Sequence, residues 1–292
     1  MRPDGFSKIG AIFMVAMTIG GCAAERSPVA SDGVDQPAET TSPASPTAET
    51  ESPSQSVSYE VWFHQGEQLF PTYRTEATGP AVGRAAIESL FAGPTGNEAR
   101  AEVQTQVPSG TRLLGLDIDD GLATVDVTRE FESGGGSLSV RMRVAQLVYT
   151  LAQFPSVDGV VLQIEGEQKA SISGEGIPTD RPLRPKDFED LFPAITVAGP
   201  RIGESVGNPV LIQGTANVFE ATVSIRIRDA AGAIIAETFT TATCGTGCRG
   251  DYEARVRYQV SETQEGVIEV FESSAEDGSV TKLVRIPVTL SP

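Results

Sequence analysis

The chain of 292 residues has one His, one Trp and three Cys. A single His excludes every mechanism built on two, including paired-His zinc sites. Aromatic residues make up 6%, too few to suggest platforms for stacked bases or sugars. Positive charge is also scarce: 22 Lys and Arg stand against 39 Asp and Glu, a formal net charge of −17. Nucleic-acid binding needs a basic face that displaces counterions, and a polybasic membrane patch needs the same; both are disfavoured, and no nucleic-acid partner is expected. Hydrophobic residues still reach 39%, so most of the chain can fold, and the length suits about two domains.

The N-terminus reads as an address. Arg2 and Lys8 precede an apolar run from Ile9 to Ile19, about half of the ~20 residues that a spanning helix needs. A positive flank, a short apolar core and small residues after it describe a secretory signal peptide over residues 1–21. Gly20, Gly21 and Cys22 follow. Ile-Gly-Gly-Cys resembles the bacterial lipobox, which implies acylation of the Cys22 thiol and cleavage before it. Two or more acyl chains, at ~0.8 kcal/mol per buried methylene, hold a protein at a membrane where one does not. The expected location is therefore extracytoplasmic, anchored by lipid on Cys22. A plain signal peptide cut elsewhere, with Cys22 discarded or free, and an uncleaved anchor are the alternatives.

Residues 22–57 are rich in Ser, Thr, Pro, Ala and Glu, without apolar periodicity. Pro37, Pro43, Pro46 and Pro53 oppose helix and sheet. Such a stretch buries too little surface to offset its ordering entropy. It is expected to be a disordered spacer with a reach of about 30–35 Å.

Residues 58–192 alternate strand and helix signals. Tyr59–His64 reads as a strand that turns at Gly66 into Gln68–Arg74. Pro80 opens a helix with Val82, Ala86, Ile87, Leu90 and Phe91 on one face, ended by Gly93-Pro94. Thr111–Asp117 and Leu122–Val127 form a hairpin across Asp120-Gly121. Ser137 is expected to cap a second helix with Leu138, Met142, Ala145, Val148 and Leu151 along one side. Asp158–Ile164 is a further strand. This order predicts an α+β domain, a mixed sheet with two helices on one face.

These residues resemble the GerMN family, the sporulation and spore germination domain. The resemblance rests on Pro108-Ser-Gly-Thr111, Asp120-Gly121, Ala123-Thr-Val-Asp-Val127, Phe131, the run Ala145–Leu151, Phe154-Pro155, Val157, Val160, Gly166 and Pro182–Phe188. It covers about Tyr59 to Leu191.

Residues 193–292 carry strand signals only, in seven segments: Ile195–Ala198, Pro209–Gly214, Thr222–Arg228, Ala233–Ala242, Asp251–Gln259, Val267–Glu272 and Thr281–Leu290. Val223, Ile225 and Ile227 alternate with Ser224, Arg226 and Arg228. Period-two alternation with one wet face predicts an all-β sandwich. Pro200, Pro209-Val210, Gly214–Val223, Gly232 and Glu272–Gly278 resemble the immunoglobulin-like domain of bacterial spore germination.

Several motifs suggest chemistry. Ser205 in Gly203-Glu-Ser-Val-Gly207 matches the hydrolase elbow G-x-S-x-G, but Asn208-Pro209 and a strand follow where a helix is required. Its base would have to be His64, far upstream; His64 reads instead as an exposed or hydrogen-bonded strand residue. Ser279-Val-Thr-Lys282 spells S-x-x-K without its companion motifs. Asp117-Ile-Asp-Asp-Gly121 could hold calcium, but Ile118 continues a strand and Asp120-Gly121 fits a hairpin. Glu130 with Glu132, and Glu165 with Glu167, could form acid–base pairs, though nothing nearby would raise one pKa. Gly134-Gly-Gly136 reads as a turn, with no phosphate-loop Lys after it. Cys244 and Cys248, an even pair once Cys22 is acylated, are expected to form a disulfide. No cofactor, metal or catalytic residue is expected.

The leading expectation is a non-enzymatic, lipid-anchored envelope protein that scaffolds or binds other components. The GerMN resemblance implies sporulation-type or peptidoglycan-associated assemblies and a protein or peptidoglycan partner. The alternatives are a cell-wall hydrolase using Ser205 or a Glu pair, and an extracytoplasmic sensor of a glycan or small molecule.

Overall fold

In the computed structural model, residues 56–77, 81–172 and 177–292 are described. The signal peptide, Cys22 and all but the end of the spacer lie outside them.

Strands β1 (Ser56–Gln65) and β2 (Gln68–Ala77) form an antiparallel hairpin. It begins three residues before the expected Tyr59 start. Helix α1 (Val82–Ala92) buries Ala86, Ile87 and Leu90, the stripe read from the sequence, and ends at Gly93. A five-residue helix α2 (Gly96–Arg100) was not foreseen. Its start is fixed by a capping box: Thr95 Oγ1 accepts from Glu98 N–H, and the Glu98 carboxylate accepts from Thr95 N–H. Strands β3 (Leu113–Asp119) and β4 (Leu122–Val127) pair antiparallel, and β4 pairs parallel with β5 (Gly159–Ile164). Asp120 at φ 46° and Gly121 at φ 79° make the tight turn between β3 and β4, a conformation that Asp-Gly adopts at low cost.

The first region is thus α+β, with its strands split among a hairpin, a three-stranded mixed sheet and a short two-stranded pair. Helix α3 (Ser137–Ala152) links β4 to β5 and packs against both β1 and β5. Gly136, not Ser137, occupies its cap position. The expected one-sided helix is buried over nearly all of its circumference from Val140 to Leu151. Its polar face is put to use. Gln146, Thr150 and Gln153, at spacings of four and three, line up on the free edge of β1. Trp62 N–H donates to Thr150 Oγ1 (3.0 Å), and the Trp62 carbonyl accepts from Gln146 Nε2 (3.2 Å). Glu60 N–H donates to Gln153 Oε1 and the Glu60 carbonyl accepts from Gln153 Nε2, each at 2.7 Å. Side chains of a helix thus stand in for a neighbouring strand and seal an edge that would otherwise be open. Val160 makes a bridge to Leu183 on the outer side of β5, and the 3-10 stretch Pro185–Leu191 closes over α3.

Arg143 lies inside this region at 2% exposure. Its guanidinium donates to four carbonyls: Gln106 (2.9 Å), Phe131 (2.5 Å), Ser133 (3.2 Å) and Gly134 (3.0 Å). Burial lowers its pKa.

The second region is an all-β sandwich, as the alternation predicts. One sheet holds β13 (Gly250–Val256), β10 (Val210–Ala216) and β8 (Ile195–Gly199) in that order. The other holds β12 (Ile234–Thr241), β11 (Thr222–Arg228), β14 (Gln264–Ser273), β15 (Val280–Leu290) and β9 (Ser205–Val206). Short pairs β6 (Ser171–Ile172) and β7 (Ile177–Pro178) belong to the first region. Val223, Ile225 and Ile227 are fully buried, and their alternating neighbours form the outer face. The strand missing from the expected seven is β9, whose two residues are too short to show a period.

Candidate binding crevice

The structure scatters the residues that the sequence offered for chemistry. Ser205 is exposed in β9, beside Thr289 of β15, and its segment leads into β10 without a helix. His64 is a strand residue in β1 at 5% exposure. Its Nδ1 lies 2.9 Å from the Gly66 carbonyl and its Nε2 lies 3.1 Å from Gln106 Nε2. A carbonyl only accepts, so Nδ1 carries the proton and Nε2 accepts from the amide. The Glu pairs are separately engaged: Glu165 binds Arg129 (3.0 Å) and Glu132 binds Lys169. The Arg129 bonds hold Glu165 below the usual carboxylate range, and the Thr128 hydroxyl does so for Glu130. Lowered values oppose a general-acid role. Lys282 pairs with Glu272 (2.7 Å), and Ser279 N–H donates to Asp277. No cluster of three metal-ligating side chains occurs among the described residues.

Cys244 and Cys248 are joined by a disulfide, with Cα atoms 5.8 Å apart. Its loop clasps the turn before β11. Gly247 N–H donates to Asn217 Oδ1 (3.1 Å), Thr246 N–H to the Val218 carbonyl (2.9 Å), and Glu220 N–H to Thr246 Oγ1 (2.9 Å). A Cβ on Gly245 would stand 2.3 Å from Ala221 N, so only glycine fits that approach. Cys22 lies outside the described residues.

What the fold does bring together is a crevice between the β1–β2 hairpin and the β8–β9 loop. Arg201, held by its N–H to Glu204 Oε2 (2.8 Å), reaches across both strands. It donates to Ser58 Oγ (2.7 Å) and Thr75 Oγ1 (3.4 Å), cross-strand partners, and its guanidinium sits 5.0 Å from the Tyr73 ring centroid. A cavity of about 220 Å³ opens beside it, walled by Phe70, Tyr73, Arg74, Glu98, Arg201 and Ile202. Below, Tyr73 faces Glu60 across the ladder. Burial pushes the Tyr73 hydroxyl far above its ordinary range, with the Glu60 charge adding to it. Burial also raises Glu60, against bonds from the Trp62 indole N–H (2.9 Å) and Tyr73. Deeper at the junction, Trp62, Tyr149 and Phe192 form a ring cluster with centroids 5.1–5.2 Å apart, and the Arg249 guanidinium sits 4.5 Å from the Phe192 ring. Sequence reasoning missed Glu60, Tyr73 and Arg201, which carry no motif.

One wall of the crevice is a titratable pair. Arg74 grips Glu98 with two bonds (2.7 and 2.9 Å), and the carboxylate side chain is 8% exposed. Burial pushes Glu98 up, but the Arg74 bonds and the Thr95 cap outweigh it, leaving its pKa below the ordinary value. A folded value below the unfolded one means full stabilisation above the unfolded carboxylate pKa of ~4.3, lost as pH falls through the lower folded value. Glu98→Gln is therefore expected to cost about 2–4 kcal/mol at pH 7, because it strands Arg74 and weakens the cap. The cost shrinks below pH 4. Urea unfolding of both forms at pH 7 and pH 3.5 measures it; a cost equal at the two pH values would contradict the pairing.

Residues 46–170 match the family model described as sporulation and spore germination, and residues 194–279 match that of the immunoglobulin-like domain of bacterial spore germination. The chain carries both domains, in that order. The resemblances read from the residues are thereby shown for both regions, and neither family description names an enzyme. The first GerMN domain of the sporulation protein GerM from Bacillus subtilis is 24% identical, over 45% of this chain and 99% of that one, with a TM-score of 0.38. The tandem GerMN domains of the same protein are 16% identical, over 81% of this chain and 61% of that one, with a TM-score of 0.41. No curated protein matches the chain. Among the described residues no helix is long and apolar enough to cross a membrane.

Proposed function

We propose that this is an extracytoplasmic protein anchored to the cell membrane by lipid on Cys22, acting without catalysis as a scaffold or binding module in sporulation, germination or peptidoglycan-associated assemblies. The observation that carries the reading is the serial match to two domains, both described by spore germination. The signal-peptide pattern before Cys22 and the Pro-rich spacer after it support a tethered arrangement. The scattered Ser205, His64 and Glu pairs favour binding over hydrolysis. The partner is an envelope protein or peptidoglycan, and the crevice walled by Phe70, Tyr73, Arg74, Glu98, Arg201 and Ile202 is the surface assigned to it.

Proximity labelling from the anchored chain, in cells that sporulate or remodel wall, tests the proposal. Wild type is expected to label envelope components, and Arg201→Ala with Tyr73→Ala to lose part of that set. Cell-wall turnover by purified protein that vanishes in Ser205→Ala would instead establish the hydrolase.

A further inference from the structure

Cys244 and Cys248 are four residues apart in sequence. The entropy that a cross-link removes from the unfolded chain grows with the loop it closes, so the direct effect of this one on the sandwich is at the low end for a disulfide. The ladder between β13 and β10 runs from the Gly250–Ala216 pair onward, outside the closed loop. The contacts of the loop lie instead at the joint between the two regions.

Three residues, Phe192, Pro193 and Ala194, connect Leu191 at the end of the first region to Ile195 at the start of β8. The disulfide loop reaches all three by two routes. Arg249, the residue after Cys248, donates to the Pro193 carbonyl and holds its guanidinium 4.5 Å from the Phe192 ring centroid. It also donates to Thr215 Oγ1 of β10 (2.9 Å). A cation partly withdrawn from water over an aromatic face is held more firmly than an exposed one. By the second route, Gly247 N–H donates to Asn217 Oδ1 (3.1 Å), and Asn217 N–H donates to the Ala194 carbonyl (2.8 Å). Gly247 sits at φ 99°, a backbone state suited to glycine. On one side Arg249 is fixed by Gly250, which pairs with Ala216 and lies so close to Cys244 that a Cβ would stand 2.1 Å from Cys244 N. On the other side it is fixed through Cys248. The S–S bond thus sets the backbone at both donors, Gly247 and Arg249.

We infer that the Cys244–Cys248 disulfide is a redox-controlled clamp on the joint between the two regions. Oxidised, it holds Arg249 on Phe192 and Pro193, and Asn217 on Ala194. Opening it takes an external dithiol. One thiolate of that reagent attacks a Cys sulfur and the S–S bond breaks to give a mixed disulfide; the second thiolate then displaces the protein, and the reagent leaves as a cyclic disulfide. Two electrons pass to the protein, and both Cys sulfurs end as thiols that carry the protons the dithiol gave up. The loop is reachable, with Thr246 and Gly247 exposed and both Cys half-buried. The freed loop lets go of both routes while the β13–β10 ladder stays. The crevice at Tyr73 and Arg201 is walled by residues of both regions, so its shape follows the joint.

Trp62 reports on this joint, because it is the one Trp of the chain and its ring centroid lies 5.2 Å from that of Phe192. Acrylamide quenching of its fluorescence is measured on the full chain, with Cys22→Ser throughout, before and after excess dithiothreitol. Reduction is expected to raise the quenching constant at least about twofold, with far-UV circular dichroism unchanged. Cys244→Ser with Cys248→Ser is expected to match the reduced parent without the reagent. Arg249→Gln is expected to start higher in the oxidised form and to gain less on reduction, since one route is already gone. Asn217→Ala, which removes the other route, takes its place if the Gln form loses its circular-dichroism signature. A constant unmoved by reduction, a rise that comes with loss of circular-dichroism signal, or a gain in the route variant equal to that of the parent overturns the proposal.

Discussion

Replacing Arg143 by Met is expected to lower the unfolding free energy by about 3–5 kcal/mol, a cost at the upper end for a single substitution. Volume is nearly kept, so the loss is polar. Four carbonyls on three segments, at Gln106, Phe131 and Ser133–Gly134, share one guanidinium. Each buried acceptor left without a donor costs about 1–3 kcal/mol, and those near the surface recover part of this from water. Lys would not restore the set, because an ammonium lacks the planar fork that meets several acceptors at once. The guanidinium also packs 5.8 Å from the Phe131 ring centroid. Urea unfolding followed by tryptophan fluorescence reads the loss, since the one Trp is buried. Arg143→Lys should fall nearer to the Met variant than to wild type. A loss under 1 kcal/mol would mean that the Phe131–Gly134 segment is held by other contacts.

Trp62→Ala is the second large effect, about 3–5 kcal/mol for a buried aromatic. Trp62 is 5% exposed and touches Tyr149 of α3 and Phe192, the last residue before the sandwich. The substitution opens a cavity at the point where the two regions meet. It also removes the indole donor to Glu60, so the Glu60 carboxyl rises further above its ordinary range. Calorimetry is expected to show wild type unfolding in one transition. The variant melts roughly 10 °C lower, with the regions beginning to separate. Two resolved transitions already present in wild type would contradict the coupling.

Much of this architecture is written in local patterns. Asp120-Gly121 between two apolar runs, the Val223–Ile227 alternation and the Val82–Leu90 stripe each depend on neighbours within a few residues, and each is found where expected. The Thr95–Glu98 capping box is equally local, but a five-residue helix has no period to betray it. Gln146 and Thr150 resist reading for a different reason. Polar residues in a helix suggest a wet face, yet here they are fully buried because they serve the edge of a strand 84 and 88 residues away in sequence. The crevice is harder still. Arg201 gains its meaning from Ser58 and Thr75, 143 and 126 residues upstream. Nothing around Arg201 in the sequence distinguishes it from any loop arginine.

The proposed lipid on Cys22, with the folded regions outside the cell, is tested most directly by mass spectrometry of the native N-terminus. The expected result is a mature chain that begins at Cys22, with a mass increment that fits a diacylglycerol thioether and that base treatment strips of its ester-linked acyl groups. A native chain that retains Met1, or that starts elsewhere without an acyl adduct, would contradict it.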